Sequence, residues 1–275
     1  SGELLLDFAG FDAVRAGIDR AVFVIRREIE RDFHVAVGRR YAGTLDVGYA
    51  FQELDDVPAT CRPATSRAKP WGTGHAVLAA RTAVGGPVIV INADDLYGPD
   101  GIAALAAFLA ADGGQPHEHG MVGYRLGRTL SEHGAVSRGV CTVDGGGMLR
   151  SIEECTAVVS EHDGASGLGP DGGRRQFAGS ELVSMNLWGF RSTVFELLAG
   201  RFERFLVQRG GDPSAEFYLP HAITELIGEG AVTVRVLETS FRWLGVTYRE
   251  DRRTVVAQLR GLVAAGVYPS PLWET

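Results

Sequence analysis

The sequence predicts an α/β fold with a mixed, mainly parallel sheet and an inserted β-rich subregion. Helical and strand-like patterns alternate over the first 111 residues, which is typical of domains built on parallel strands. The continuous apolar run at 87–91 is typical of a strand covered on both faces. Three further strand-like runs follow without a clear linker, so the 275 residues are expected to form one domain.

The first half supplies the alternating helices and strands. Apolar residues at helical spacing predict helices, and short β-branched or aromatic runs predict buried strands. The predicted elements are a helix at 11–21, a strand at 22–25, a helix at 27–33, a helix at 74–83, a strand at 87–91 and a helix at 101–111.

The second half begins with strands and ends with helices. The glycine-rich segment 164–173 is a cluster of breaker residues and predicts a surface loop. The predicted elements around it are strands at 136–143, 149–154 and 182–190, a helix at 215–229, a strand at 232–237 and a helix at 254–265.

Composition and charge exclude several classes of function. The chain has 27 basic and 34 acidic residues and a formal charge of −7, which argues against a general nucleic-acid binder. It has no apolar run of the length that a membrane span requires, and its first residues lack the basic start of a signal peptide. Three cysteines without CxxC spacing predict neither a disulfide framework nor a zinc site, so reduced thiols and a cytoplasmic location are expected.

A tight glycine turn runs directly into a predicted helix at Gly72-Thr73-Gly74. Glycines let the backbone approach a flat or anionic ligand, and a helix start offers free N–H groups. The alternative is a plain turn with Thr73 as the N-cap residue. His75 follows within the helix and is expected to be a packed residue rather than a catalyst.

Two adjacent carboxylates, Asp94 and Asp95, follow the apolar strand at 87–91. Ligands of open α/β sheets bind beyond the carboxyl ends of the strands. Adjacent carboxylates there are unfavourable unless a charge compensates them, and Mg²⁺ bound to phosphate oxygens would do so. The alternative is a helix cap beside a solvated turn acid.

Polar residues on the apolar strands of the second half are candidates for sugar binding. Gly139, Glu153 and Asn186 lie on three predicted strands, and Glu and Asn suit sugar hydroxyls because their hydrogen bonds are directional. Satisfied core polar residues are an equal alternative. Asp251 precedes the last helix, where it would stabilise the helix start or lie near a metal.

These motifs together resemble the sugar-phosphate nucleotidyltransferase family, the NDP-sugar pyrophosphorylases. The resemblance extends from residue 2 to residue 273 and rests on the order of KPWGTGHAVLAA, VIVINADDLYG, SRG, SIEE, VSMNLWGF and AEFYLPHAITELIGEG. It implies a single Rossmann-like, three-layer nucleotidyltransferase domain over residues 1–275. It also implies Mg²⁺-assisted, in-line transfer from a nucleoside triphosphate to a sugar 1-phosphate, with release of pyrophosphate.

The resemblance also implies roles for individual residues. The nucleotide would contact the glycine turn and the acidic turn, the metal would bind carboxylates, and the sugar would contact the strands of the second half. The implied residues are Gly72, Thr73 and Gly74 for the nucleotide, Asp94 as the catalytic metal ligand, and Gly139, Glu153 and Asn186 for the sugar. Asp95 is a further candidate for the nucleotide, and Asp251 is the nearest candidate for a second metal ligand.

The sequence departs from the family pattern in three places. The first strand and its glycine-rich loop have no counterpart, so we expect a shortened chain or a mis-set start. Without them the 275-residue form lacks the family's main phosphate cradle, which leaves its activity open. Cys155 replaces a family lysine, and Gly245 lies where relatives carry a second metal-binding aspartate. A non-catalytic nucleotide-sugar binder and a metal-dependent glycosyltransferase remain alternatives. The base, the sugar or other phosphorylated alcohol, and a homo-oligomeric state are left open.

Overall fold

A computed structural model describes residues 2–58 and 66–273 of the chain. The first half contains α1 (Leu5–Arg15), β1 (Arg20–Ile25), α2 (Glu30–Ala36), β2 (Asp46–Phe51), α3 (Thr73–Ala79), β3 (Val88–Val90), β4 (Asp95–Leu96), α4 (Pro99–Ala110) and β5 (Glu118–Arg125). The second half contains β6 (Val136–Val143), β7 (Leu149–Glu161), β8 (Gly164–Leu168), β9 (Arg174–Phe177), β10 (Leu182–Phe190), α5 (Val194–Arg209), α6 (Leu219–Gly228), β11 (Thr233–Glu238), β12 (Leu244–Gly245) and α7 (Asp251–Ala264).

An eight-stranded mixed sheet organises the fold. Its order is β11-β5-β10-β6-β7-β8-β9, and β3 pairs with β10 beside this path. The strand β11 is parallel to β5, whereas β10 is antiparallel to β3, β5 and β6. The predicted α/β class with a mixed sheet is confirmed. The expected parallel majority is not observed, because the inserted strands β6 to β9 form consecutive antiparallel pairs.

The first two strands form a separate sheet. β1 and β2 are parallel and in register from Arg20 and Asp46 to Ile25 and Phe51. Within the described residues, neither strand pairs with the large sheet. The short β12 pairs with β4 in a third, two-stranded sheet, which places Gly245 opposite Asp95.

Helices cover both faces of the strands. α3 packs with α5 and α6 in one layer, while α1 packs with α4 in the other. Trp71, Trp188 and Phe202 are buried in the core beneath α3, α5 and α6, and Tyr97 and Leu105 are buried in the core beneath α4. β10 contributes side chains to both cores, since successive residues of a strand point to opposite faces.

Most predicted elements are confirmed, and several differ. The strand at 136–143 has the predicted bounds, and the predicted strand and helices at 22–25, 74–83 and 101–111 are present with small shifts. The first helix spans Leu5–Arg15, because Asp7 accepts a hydrogen bond from the backbone N–H of Leu4 and caps the helix start earlier than predicted. Six strands and one helix were not predicted from the sequence, namely β2, β4, β5, β8, β9, β12 and α5.

The glycine-rich segment 164–173 is not a loop throughout. Its first five residues form β8, which pairs with β7 and β9. A Cβ atom on Gly167 would lie 2.8 Å from the side chain of Val158, so glycine permits close packing of these strands. Composition alone therefore predicted the wrong structure for this half of the segment.

The helices in the described part of the chain are all too short or too polar to cross a membrane. Cys141 and Cys155 are free thiols. Cys61 lies outside the described residues.

Candidate functional site

The glycine turn is fixed by the loop that precedes α6. The backbone N–H of Gly74 donates to the carbonyl of Phe217 (2.9 Å), and Phe217 N–H donates to the carbonyl of Trp71 (2.6 Å). A Cβ atom on Gly72 would lie 2.8 Å from the Phe217 carbonyl oxygen, and one on Gly74 would lie 2.6 Å from its ring. The glycines therefore permit a close protein contact, and Gly72 in addition has a positive φ of 101°.

Thr73 is the first residue of α3, and Gly72 is the N-cap residue. The Thr73 hydroxyl accepts a hydrogen bond from the backbone N–H of Leu219 at the start of α6 (3.0 Å). His75 is buried, and its two ring nitrogens lie near the carbonyl of Asp56 (2.9 Å) and the side chain of Gln52 (3.4 Å). Burial lowers the His75 pKa, so a packed neutral histidine, as expected, fits this environment.

The acidic turn after β3 separates its two carboxylates. Asp94 is exposed, whereas the Asp95 side chain is buried. One Asp95 oxygen accepts a hydrogen bond from the Asn92 amide (2.9 Å) and lies 3.1 Å from the Tyr97 hydroxyl. Asp95 therefore organises the turn from inside, which leaves Asp94 as the carboxylate that faces solvent.

Burial raises the pKa of Asp95 to about 6. The hydrogen bond from Asn92 opposes this shift, and the negative charge of Asp94 adds to it. A Cβ atom on Gly245 would lie 2.7 Å from the other Asp95 oxygen. A larger residue at position 245 would therefore collide with Asp95, which explains the glycine there.

The turn is linked to β10 through Tyr97. The Tyr97 hydroxyl accepts a hydrogen bond from the backbone of Asn92 (3.0 Å) and donates one to the carbonyl of Met185 (2.8 Å). The next residue, Asn186, has a φ of 61° at a register shift between β10 and β5. A non-glycine residue in this conformation is uncommon and is often part of a functional site.

One large cavity unites three of the predicted site segments. Its volume is about 810 Å³, and Thr73, Asn92, Ala93 and Asn186 all line it. The glycine turn, the acidic turn and the β10 bulge, which are far apart in sequence, therefore meet at one opening. Asp94 directly follows the lining residue Ala93.

The paired glutamates of β7 point to different partners. Gly139 pairs with Glu154 and with Ser184, and a Cβ atom on Gly139 would lie 3.5 Å from a Glu154 carboxylate oxygen. The Glu153 carboxylate instead accepts a hydrogen bond from Arg175 on β9 (3.0 Å). The structure thus brings Glu154, and not the predicted Glu153, beside Gly139.

Arg138 is the buried cation among the acidic residues. Its guanidinium donates to the side chain and carbonyl of Thr129 and lies 5.1 Å from the Trp243 ring centre. Burial lowers the Arg138 pKa to about 10. The charges of Asp95, Glu154 and Asp251 oppose that shift, so these three carboxylates stabilise the charged form of Arg138.

The carboxylate of Asp251 is occupied by hydrogen-bond donors. It accepts from the Ser131 hydroxyl (2.7 Å) and from the backbone N–H groups of Thr247 (3.1 Å) and Tyr248 (2.8 Å). Desolvation acts to raise its pKa, but these hydrogen bonds outweigh it and lower the pKa. Asp251 therefore stabilises the start of α7, as in the simpler of the two sequence-based interpretations.

The described residues contain no group of three or more acidic, histidine or cysteine side chains arranged to hold a metal. Mg²⁺ is commonly held by one or two carboxylates together with substrate phosphates and water. The exposed Asp94 suits that arrangement, whereas the oxygens of Asp251 already have three donors. The donor set fits a metal that arrives with a phosphorylated substrate.

Sequence reasoning missed Glu154, Tyr97 and Ser184 in this region. The pair Glu153-Glu154 was visible, but choosing between its members required the register of β7 against β6. Tyr97 lies in the motif NADDLYG, and an aromatic hydroxyl two residues after the paired acids was the available signal.

The comparisons with known proteins support the fold. No protein-family model matches the sequence, and no curated protein is significantly similar to it. The fold is similar to that of a putative glucose-1-phosphate thymidylyltransferase from Bacillus anthracis, whose structure was solved in complex with sucrose. The TM-score is 0.61 at 14% identity, over 93% of this chain and 82% of the neighbour. The chain therefore shares the α/β fold of this neighbour.

Proposed function

We propose that this protein is a nucleotidyltransferase that joins a nucleoside triphosphate to a sugar 1-phosphate or a similar phosphorylated alcohol and releases pyrophosphate. The observation that carries the proposal is the common cavity of Thr73, Asn92, Ala93 and Asn186. The fold shared with a neighbour named as a thymidylyltransferase and bound to a sugar supports it.

In this proposal Asp94 is the catalytic metal ligand. Its exposed carboxylate lies in the turn beyond the carboxyl end of β3, where ligands of α/β sheets bind. Mg²⁺ bound there would neutralise charge on the phosphate oxygens during in-line attack on the α-phosphorus. The buried Asp95 keeps the turn in shape through Asn92 and Tyr97, and the backbone of Gly72 to Gly74 borders the nucleotide.

The sugar would lie beside Asn186, Gly139 and Glu154. The positive φ of Asn186 directs its side chain differently from its strand neighbours, and its amide can both donate and accept hydrogen bonds. Gly139 has no side chain, so it leaves the Glu154 carboxylate accessible. Arg138 lies near this carboxylate and opposes the rise in pKa that burial causes, which favours the ionised acceptor.

Pyrophosphate release with Mg²⁺ tests the proposal on the common nucleoside triphosphates, each paired with a panel of sugar 1-phosphates. We expect one pair to release pyrophosphate, and Asp94→Asn to reduce the rate at least about 100-fold because the metal loses its protein carboxylate. Asp112→Asn is the matched control. Asp112 is also exposed, but it lies past the far end of α4, about 18 Å of helix from the acidic turn.

Two results would contradict the proposal. Equal activity of Asp94→Asn and the parent chain would remove Asp94 from the mechanism. Transfer of sugar from a nucleotide-sugar without pyrophosphate release would indicate a glycosyltransferase instead.

A further inference from the structure

Two adjacent arginines, Arg26 and Arg27, follow the carboxyl end of β1. Ligands of α/β sheets bind beyond the carboxyl ends of the strands, so cations at this position are candidates for contact with a substrate. The backbone of Arg26 is extended (φ −85°, ψ 143°), so the alternation of side chains along β1 continues through this residue. The two arginine side chains therefore start on opposite faces of the small sheet.

Gln52 identifies the face on which Arg26 lies. The backbone N–H of Gln52 donates to the carbonyl of Ile25 (3.0 Å) at the carboxyl end of the parallel ladder, so Arg26 and Gln52 are the next two residues in register. Side chains in register on neighbouring strands point to the same face. The Gln52 amide donates to the carbonyl of Gly72 (2.9 Å) in the glycine turn. Arg26 therefore lies on the face that carries the glycine turn.

Arg27 lies on the other face and has partners within the protein. Its guanidinium is 3.8 Å from the ring centre of Phe51 and 3.7 Å from the carboxylate of Glu53. Phe51 directly precedes Gln52 in the extended chain, so its ring points away from the glycine turn. Arg27 therefore packs on the small sheet, on the side opposite to the candidate site.

Arg26 has a weaker contact with the rest of the protein. Its guanidinium lies 3.7 Å from the carboxylate of Glu28, and the two side chains are 64% and 73% exposed. An ion pair between exposed side chains contributes little free energy, because water already solvates both charges. An incoming anion can therefore replace Glu28 as the partner of Arg26.

The carboxyl end of β1 lies on the same side of the fold as the acidic turn. The first residue of α1, Leu5, packs against the core that contains Leu96, directly after the acidic turn, and β1 follows α1 after a short connection. β1 therefore runs back towards the acidic turn. Ile25 at the end of β1 and Asn92 after β3 both line the cavity. Arg26 directly follows Ile25, so it lies at the opening where the glycine turn and the acidic turn meet.

The described residues that line the cavity supply no cation at this opening. The charged residues among them are Asp19 and Arg20, at the amino end of β1, and Arg20 is paired with Asp46 (3.0 Å). A triphosphate carries several negative charges, and the exposed carboxylate of Asp94 adds another. Binding at this place is therefore expected to require a protein cation in addition to the metal.

We propose that Arg26 binds the phosphate groups of the nucleoside triphosphate, a role that rests on the nucleotide site of the proposed function. The planar guanidinium of arginine forms two parallel hydrogen bonds with phosphate oxygens, and its positive charge is permanent. The side chain lies beside the glutamine that contacts the glycine turn, and the metal site at Asp94 borders the same opening. Arg26 thus contributes to binding of the triphosphate, whatever base the nucleotide carries.

Isothermal titration calorimetry without sugar phosphate tests this assignment. The probes are inorganic tripolyphosphate, which has no base, and the common nucleoside triphosphates. Arg26→Gln should weaken the binding of every probe at least about tenfold, because a charge-assisted hydrogen bond to phosphate is lost. Arg26→Lys should retain part of the affinity, since it keeps the charge but not the two parallel donors.

Arg27→Gln is the matched control, because it removes the same charge from the adjacent residue on the opposite face. It should leave the affinity for each probe within about twofold of the parent value at moderate ionic strength. The difference between Arg26→Gln and the parent should decrease as the salt concentration approaches about 1 M, as screening weakens the contact. The thermal midpoint of Arg26→Gln should stay within about 1 °C of the parent, since the exposed contact with Glu28 contributes little to stability.

Four results would overturn the assignment. Equal losses in Arg26→Gln and Arg27→Gln would indicate a general effect of surface charge. A loss for one nucleotide with unchanged affinity for tripolyphosphate would make Arg26 a contact of the base. Unchanged affinity of Arg26→Gln for every probe would remove Arg26 from the site, even if the protein releases pyrophosphate. No binding of any probe to the parent chain up to about 5 mM would remove the nucleotide site as a whole.

Binding and turnover distinguish this role from the proposed reaction. Triphosphate binding that depends on Arg26, without pyrophosphate release from any pair of substrates, would contradict the reaction and support the phosphate contact. Pyrophosphate release with the same KM for the triphosphate in the parent and in Arg26→Gln would support the reaction and contradict the contact.

Discussion

Asp95→Asn should make the free energy of unfolding less dependent on pH between about 4 and 7. Burial raises the Asp95 pKa from 3.8 to about 6, a shift of about two units, which is equivalent to about 3 kcal/mol. In the unfolded chain Asp95 ionises near pH 4, but the folded protein retains the proton until about pH 6. The contribution of Asp95 to the free energy of unfolding therefore decreases as the pH rises through this window.

An asparagine at position 95 cannot ionise, so it avoids this loss. At pH 4 the variant should be less stable than the parent, by about 1–3 kcal/mol, because its amide N–H groups replace an acceptor. The difference should move in favour of the variant by about 3 kcal/mol by pH 7.5. Urea denaturation of both proteins at several pH values measures it directly.

Asp251→Asn provides the control of opposite sign. Donors from Ser131, Thr247 and Tyr248 lower the Asp251 pKa, so its contribution to stability is present above about pH 4 and lost as the pH falls further. The difference in free energy of unfolding between the parent and Asp251→Asn should therefore favour the parent most strongly at neutral pH. A stability difference at position 95 that is constant from pH 4 to 7.5 would refute the argument that its carboxylate is desolvated.

The other site residues give three further predictions. Gly74→Ala should reduce the free energy of unfolding by about 1–3 kcal/mol, because its Cβ would lie 2.6 Å from the Phe217 ring. Gly200→Ala should stabilise slightly, since this exposed position of α5 has no atom within 4 Å of the added Cβ, and urea denaturation compares the two variants. Asn186→Ala should reduce the free energy of unfolding by about 1–2 kcal/mol, because alanine is unfavourable at a φ of 61°, whereas Asn186→Gly should leave it unchanged. Both variants should raise the KM for the sugar phosphate. Glu154→Gln should raise that KM about tenfold, while Glu153→Gln should leave it unchanged. Steady-state kinetics with each substrate varied measures both effects, and the opposite result would mean that Glu153, not Glu154, faces the sugar.

Local patterns predicted the elements more reliably than the partners of the side chains. The alternation of residues 136–143 specified β6 to the residue, since strand periodicity is contained in the sequence. The choice between Glu153 and Glu154, in contrast, could not be made from local periodicity. Adjacent strand residues point to opposite faces, and only the pairing of β7 with β6 and β8 decides which face meets the site.

The glycines show the same limit. A glycine in the sequence signals a close approach of the backbone but does not identify what approaches. At Gly72 and Gly74 the partner is Phe217, which is more than 140 residues away in the chain, so a ligand contact and a protein contact were indistinguishable from the sequence. The prediction of a loop at the glycine-rich β8 was wrong for the same reason, because the neighbours in the sheet decide whether such a segment is a loop or a strand.

The strand at 87–91 is where sequence and structure disagree most informatively. Its apolar run predicts a strand covered on both faces, yet β3 is half-buried and one of its edges faces a cavity. The apolar side chains of β3 therefore face a cavity of about 810 Å³ where the sequence predicted protein on both faces. β1, which faces β3 across the cavity, has the same incomplete cover. The apolar character of a run thus predicts that a strand lies in the interior of the fold, but it does not specify what lies beside the strand, because strand neighbours come from distant parts of the chain.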